Sequence, residues 1–345
     1  MRTLQSIVLF LFIGFVSWGQ DAHFSNMDYS PLNLNPGLTG ANYGMQAIAS
    51  YRTQWNSVGA PFQTIAASFD TRINENSRNK NGHFAVGVNF YNDQAGEVRI
   101  STNQASFNAA YHLKIDRQST VGLGMYAGFG QRAINASSGM WGNQYDGFAY
   151  DPSIPSGETF ANPNFTHFDV GTGIVYTYGA NERSMRANNG LRVNAGYAVF
   201  HVNRPSYSFI GNGEDPLFMR HALFGNGSIG IPGTNSFIDP GVYLQIQGPN
   251  TEVVFGADYK FLLAEGSKVT GNIKRSSVAF GAYLRARDAL IARFIYEFSG
   301  LAIGFSYDFN VSTLTEVSSG RGGAEFFLRW KLDEAPKTGA TRSRI

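Results

Sequence analysis

Cysteine is absent from the 345 residues, which excludes disulfides and thiolate metal sites and leaves packing and closure to stabilise the chain. Charge is also scarce. Charged residues make up 15%, against about 25% in average globular proteins. Lys+Arg and Asp+Glu stand at 27 and 25, so no basic stripe suggests nucleic acid. Long apolar runs are missing after the first twenty residues. None approaches the roughly 20 residues of a membrane helix, and the slightly polar mean hydropathy excludes a polytopic helical protein. Chemistry-bearing motifs are wanting too. His23, His83, His112, His167, His201 and His221 show no HExxH-type spacing, and no GxSxG elbow occurs. Gly122-Leu-Gly124 and Gly171-Thr-Gly173 look like fragments of nucleotide loops, but no helix pattern follows them, so strand packing explains them better. No cofactor, metal or enzymatic role is expected.

The N-terminus carries the one hydrophobic stretch. Arg2 precedes the apolar run Ile7 to Val16, and Ser17 and Gly19 stand at the positions a signal peptidase reads. This is the pattern of a cleaved export leader over 1–19, with Gln20 opening the mature chain. What is plentiful then narrows the class. Glycine reaches 40 residues and aromatics 14%. An exported chain of this kind fits a transmembrane barrel, in which aromatics form interfacial girdles and small residues relieve crowding.

Alternation supplies the architecture. In 83–91, Val86, Val88 and Phe90 fall on one face, opposite Ala85, Gly87, Asn89 and Tyr91. In 251–262, Val253, Phe255, Ala257, Tyr259 and Phe261 oppose Glu252, Asp258 and Lys260. Segments 289–299, 301–311 and 322–332 repeat the pattern, with Arg293, Glu297, Asp308, Glu325, Arg329 and Lys331 on the polar face. A period of two means strands, and segments of 10 to 12 residues suit a tilted strand crossing the hydrocarbon layer. Fourteen strands are predicted, at 45–55, 62–72, 83–91, 100–115, 119–131, 165–178, 190–202, 219–230, 236–247, 251–263, 277–287, 289–299, 301–311 and 322–332. Unpaired backbone is intolerable in lipid, so the sheet must close into an all-β, antiparallel transmembrane barrel over 45–332. An even strand number returns both ends to the periplasm. The long connections 132–164 and 203–218 then face outward, while 179–189 and 264–276 are unusually long for periplasmic turns.

Two stretches stand outside the barrel. Residues 20–44, punctuated by Pro31, Pro36, Gly37 and Gly40, are expected to plug the lumen or cap its periplasmic mouth. Residues 333–345 are expected to form a flexible periplasmic tail. Asp258, Lys260, Arg285, Arg287, Arg293, Glu297, Asp308, Arg329 and Lys331 are assigned to the lumen, because Arg or Lys facing lipid at midplane costs about 2–4 kcal/mol. They form either a wall network of opposite charges or the lining for a plug, a partner or a channel.

Two groups of residues are more specific. The first runs Gln20-Asp21-Ala22-His23-Phe24-Ser25, Pro31-Leu32-Asn33-Leu34-Asn35-Pro36, Gly40, then Tyr51-Arg52-Thr53-Gln54-Trp55, Gly59-Ala60-Pro61-Phe62 and Ser68-Phe69-Asp70. The second runs from Gly304 to Ser312, with Leu314 and Gly322 to Trp330. In this order they resemble the PorP/SprF family of Bacteroidetes outer-membrane proteins. The resemblance brackets nearly the whole mature chain. Gly37-Leu38 in place of a more usual Pro-Ala, and the tail beyond Leu332, depart from it. It implies an outer-membrane role in type IX secretion, and in some members gliding motility. The implied partner is a secreted cargo protein held by its C-terminal sorting domain of the type B class, with other secretion components met at the periplasmic face. Phe24, Asn35, Pro36, Arg52, Trp55 and Pro61 become candidates for shaping the plug and rim or for contacting a partner, with the outer loops 132–164 and 203–218 equally placed for cargo. A porin or specific transporter is the alternative that the charged lumen allows.

Overall fold

The computed structural model describes residues 21–55, 60–73, 81–180, 190–210, 215–264, 275–312, 315–318 and 320–332. The leader, Gln20, the tail 333–345 and most of the two long periplasmic connections lie outside them. Fourteen strands alternate in direction around one closed sheet. They are β1 (Met45–Gln54), β2 (Phe62–Ile73), β3 (Gly82–Ala95), β4 (Ile100–Lys114) and β5 (Ser119–Ala133). There follow β6 (Asn164–Ala180), β7 (Leu191–Phe200), β8 (Arg220–Gly230), β9 (Ser236–Gln247) and β10 (Asn250–Ala264). The last are β11 (Ser276–Arg285), β12 (Ala289–Phe298), β13 (Leu301–Asn310) and β14 (Arg321–Leu332). Each strand pairs with its chain neighbours, and β1 pairs with β14 from Met45↔Leu332 to Gln54↔Gly323. No edge is left to template another chain.

Side chains sort by parity. Phe84, Val88, Phe90, Phe255, Tyr259, Phe294, Ile303 and Phe326 are exposed on the outside, while Ala85, Asn89, Asp258, Arg293 and Glu325 are buried inside. The outer face is the one that meets lipid. Several predicted strands overreach by a residue or two, and four of them stop at a left-handed residue. Trp55, His201, Arg287 and Ser299 take positive φ values of 56°, 57°, 64° and 52°. That left-handed turn leaves the extended region and ends the ladder. Arg287 therefore does not belong to the lumen wall. It is exposed in the turn between β11 and β12.

The interior is filled from the N-terminal side. Residues 21–44 form three single helical turns, at Met27–Tyr29, Pro31–Leu34 and Pro36–Leu38. Each of the last two begins with its proline at the first helical position, where the missing N–H is no loss. Met27, Leu34 and Leu38 pack with Val175, Phe224, Tyr243, Val254, Tyr283 and Ile291 of the wall. The segment enters at the end carrying the long loops, where the Asp21 backbone N–H donates to Gln247 Oε1 at 3.1 Å. It leaves into β1 at the opposite end.

Candidate functional site: a threaded lumen

One node, near the loop end of the barrel, couples the segment to five strands. Arg52 of β1 is 1% exposed. Its guanidinium lies 2.9 Å from Asp308 of β13 and 3.2 Å from Glu325 of β14. Arg285 of β11 reaches the same Asp308 at 3.0 Å and Glu252 of β10 at 2.9 Å. Ser25 sits among them. Its backbone N–H donates to Glu325 at 2.6 Å and its hydroxyl to Asp308 at 2.7 Å, while Arg52 and Arg285 both donate to that hydroxyl. His23 Nδ1 completes the line 2.9 Å from Glu252. Charges are tolerated here because each finds an opposite charge together with hydrogen bonds.

A second node lies at the same end. His201 is 2.7 Å from Asp21 through Nε2 and 2.9 Å from Asp169 of β6 through Nδ1. Tyr126 and Gln104 donate to Asp169 at 2.6 and 2.9 Å, and Arg220 stands 3.2 Å from Asp21. Burial disfavours the charged imidazole, but the two carboxylates prevail and raise its pKa to about 9. Burial likewise opposes ionisation of Asp21, yet His201 and Arg220 hold its carboxyl well below the usual range. With both ring nitrogens committed to carboxylates, His201 is a bridging cation and offers no basic lone pair to a nucleophile. No cluster able to hold a metal occurs among the described residues.

Glycines shape the wall where the segment presses closest. Asn35 caps its own turn by accepting from the Gly37 N–H at 2.7 Å and donates to the Ile174 carbonyl at 3.1 Å. A Cβ on Gly173 would overlap the Asn35 side chain, and one on Gly124 the Pro36 carbonyl. Gly124 of β5 and Gly173 of β6 are seats for the segment, whereas Gly122 and Gly171 make room for the wall side chains of His112 and Tyr126.

The predicted site residues separate accordingly. Arg52, Asn35, Pro36 and Phe24 are buried in or against the N-terminal segment, Phe24 beside Ala66 and Tyr91. Trp55 lies just past β1 at the loop-end rim, edge-on to Phe62 at 4.7 Å, with Pro61 next in the same turn. Asp258, Lys260, Arg285, Arg293, Glu297, Asp308, Arg329 and Lys331 all line the interior, and each has an opposite charge within reach. Asp169, His201, Glu252 and Ser25 are not among the residues the sequence assigns to a site. Asp169 is a charge at an inward position of an aromatic strand, which alternation could have flagged. His201 falls inside the predicted strand 190–202 but lies one residue past the observed end of β7, where its left-handed turn takes it out of the alternation.

The two long loops at the outer rim are joined. Arg132 stacks 4.1 Å over Tyr207 and 4.9 Å over Phe209, and donates to the Tyr207 carbonyl at 3.2 Å. The Asn162 N–H donates to the Phe209 carbonyl at 3.0 Å, and Phe165 packs on Phe209 with ring centres 5.4 Å apart. Beyond this clasp Met140, Tyr145, Phe148 and Ile210 are exposed, Phe148 at 93%. At the opposite end the lumen opens into a cavity of about 1190 Å³.

The family model described as "Type IX secretion system membrane protein PorP/SprF" matches residues 16–330. No curated protein matches the chain. Similar solved structures include BamA from Haemophilus ducreyi lacking POTRA domains 1–3, at 11% identity and TM-score 0.40, covering 84% of this chain and 70% of that one. A FadL homologue from Pseudomonas aeruginosa is similar at 8% identity and TM-score 0.40, covering 84% and 89%. The translocator domain of the autotransporter NalP from Neisseria meningitidis is similar at 12% identity and TM-score 0.34, covering 88% and 94%.

Proposed function

The chain belongs to the PorP/SprF family of type IX secretion system membrane proteins, and on that premise we propose that it anchors a secreted cargo protein at the cell surface by the cargo's type B C-terminal domain. Its place is the outer membrane, and its family and fold are those of a membrane barrel rather than of a known enzyme class. The loop end is then extracellular and the end bearing the barrel termini periplasmic.

The observation that carries the reading is the occupied lumen. Charged and apolar contacts hold residues 21–44 from the outer rim to the inner mouth, an arrangement suited to a scaffold rather than to a passage. The clasped loops with Met140, Tyr145, Phe148 and Ile210 exposed offer the cargo a preformed apolar surface. Secretion components meeting the periplasmic face fit the same scheme, and no catalytic role is part of it. Affinity purification from native membranes tests it. One large exported protein should co-purify and should be lost when its C-terminal domain is deleted. Recovery of the barrel with no such protein under conditions that preserve the membrane would sink the idea.

The porin reading draws on the wide periplasmic cavity. It requires steady conductance in a planar bilayer from the intact protein, whereas the anchor requires silence.

A further inference from the structure

The periplasmic half of the lumen is a charged chamber that cargo anchoring at the outer rim leaves unused. Its cations outnumber its anions. Arg192, Lys260, Arg275, Arg293, Arg329 and Lys331 line it, against Asp28, Asp239, Asp258 and Glu297. The pairing is uneven. Lys260 has Asp239 at 2.5 Å, and Arg293 has Asp258 with Asp28 at 3.6 Å. Arg329 and Lys331 share the single carboxylate of Glu297, at 3.1 and 2.7 Å. Arg192 and Arg275 have no carboxylate at salt-bridge distance among the described residues, and the buried Nε–H of Arg329 finds no acceptor. The excess positive charge of the chamber lies with Arg192, Arg275 and the pair Arg329 and Lys331 that share Glu297, and three of these cations, Arg192, Arg329 and Lys331, act on one group.

These three line the same chamber although their strands do not adjoin. β7, which carries Arg192, lies halfway round the barrel from β14, which carries the other two. Tyr43, the penultimate residue before β1, stands between them. Lys331 Nζ is 4.6 Å and the Arg329 guanidinium 5.4 Å from its ring centre. Burial resists ionisation of its hydroxyl, but Arg329, Lys331 and Arg192 bring its pKa down to about 8. The field at that hydroxyl favours negative charge from both walls.

We propose that this chamber binds a multiply charged oxyanion, a phosphate or carboxylate group, held between Arg192 on one wall and Arg329 and Lys331 on the other above Tyr43. Guanidinium and ammonium donors from opposite walls suit a ligand with several oxygens, and a partly dry cavity strengthens each contact. The ligand is either a small free oxyanion or the acidic side chains of a periplasmic peptide. The cavity is large enough for either.

The purified barrel in zwitterionic detergent is titrated with pyrophosphate and with a hexapeptide of alternating Asp and Gly, by calorimetry and by tyrosinate absorbance near 295 nm. Saturable binding of one equivalent is expected, with loss of the Tyr43 tyrosinate signal near pH 8 as the ligand competes for the same cations. R192Q and K331Q should each weaken binding at least tenfold, and Y43F should remove the optical change while retaining binding. R192Q breaks no ion pair among the described residues, and an unheated gel confirms that both variants fold. Binding of pyrophosphate alone identifies a small oxyanion as the ligand, and binding of both probes identifies an acidic peptide. Absence of saturation with either, or saturation unchanged by R192Q and K331Q, overturns the site.

Discussion

Arg52 shows how one side chain ties the lumen together. It joins Asp308 and Glu325 across the seam where the last strands meet β1, and through Ser25 it grips the N-terminal segment. Replacing Arg52 with Met should cost about 3–5 kcal/mol, because two buried carboxylates lose their cation. The urea midpoint of the heat-modifiable barrel is the measurement. Trp55→Ala at the rim, where the side chain is half exposed, should move that midpoint much less.

His201 gives a pH dependence. Its folded pKa of about 9 lies above the ordinary 6.5, so its contribution is fully present below pH ~6.5 and declines as pH rises towards 9. Asp21, Asp169 and Arg220 surround it. Protease cleavage near Asp21 should accelerate between pH 6.5 and 9 in the wild type. His201→Gln, cleaved readily throughout, should flatten the profile. An equally steep profile in His201→Gln would assign the titration to another group.

At the scale of elements, alternation made most of the barrel legible. Phe255 and Tyr259 against Asp258 and Lys260 is a pattern only a two-sided strand produces, and the strand centres follow from it. Several ends did not follow, four of them because Trp55, His201, Arg287 and Ser299 turn left-handed. Orientation is testable directly. Phe255→Lys places charge in lipid and should cost about 2–4 kcal/mol near midplane, visible as a drop in folded yield in vesicles. Ala282 shares the lipid side between the small register partners Ala257 and Ala292, and its replacement by Leu should be tolerated. The glycines of β5 and β6 make a sharper claim. Gly173→Val should expel Asn35 from its seat, exposing residues 21–44 to protease while β-sheet circular dichroism is retained. Unchanged protection would mean that the segment is not held there.

For the whole molecule the question is what closes the lumen. The wall charges sort into local pairs, yet the two nodes that fasten the interior each join residues more than 150 positions apart, as with His201 and Asp21. Deleting residues 21–40 should convert a silent protein into one with steady conductance across a planar bilayer. Persistent silence would show that something other than this segment blocks passage, such as the clasped outer loops.

Periodicity along the chain determined the strand number, the lipid face and the antiparallel order, because each depends on side chains one or two residues apart and on the rule that backbone in lipid must be paired. The tertiary structure alone decided that residues 21–44 run through the barrel towards its outer rim, that His201 bridges Asp21 and Asp169, and that Arg192 faces Lys331 across the cavity. Those contacts arise only when the sheet closes. Closure brings opposite walls and the threaded segment within ångströms of one another, a proximity that no spacing along the chain encodes.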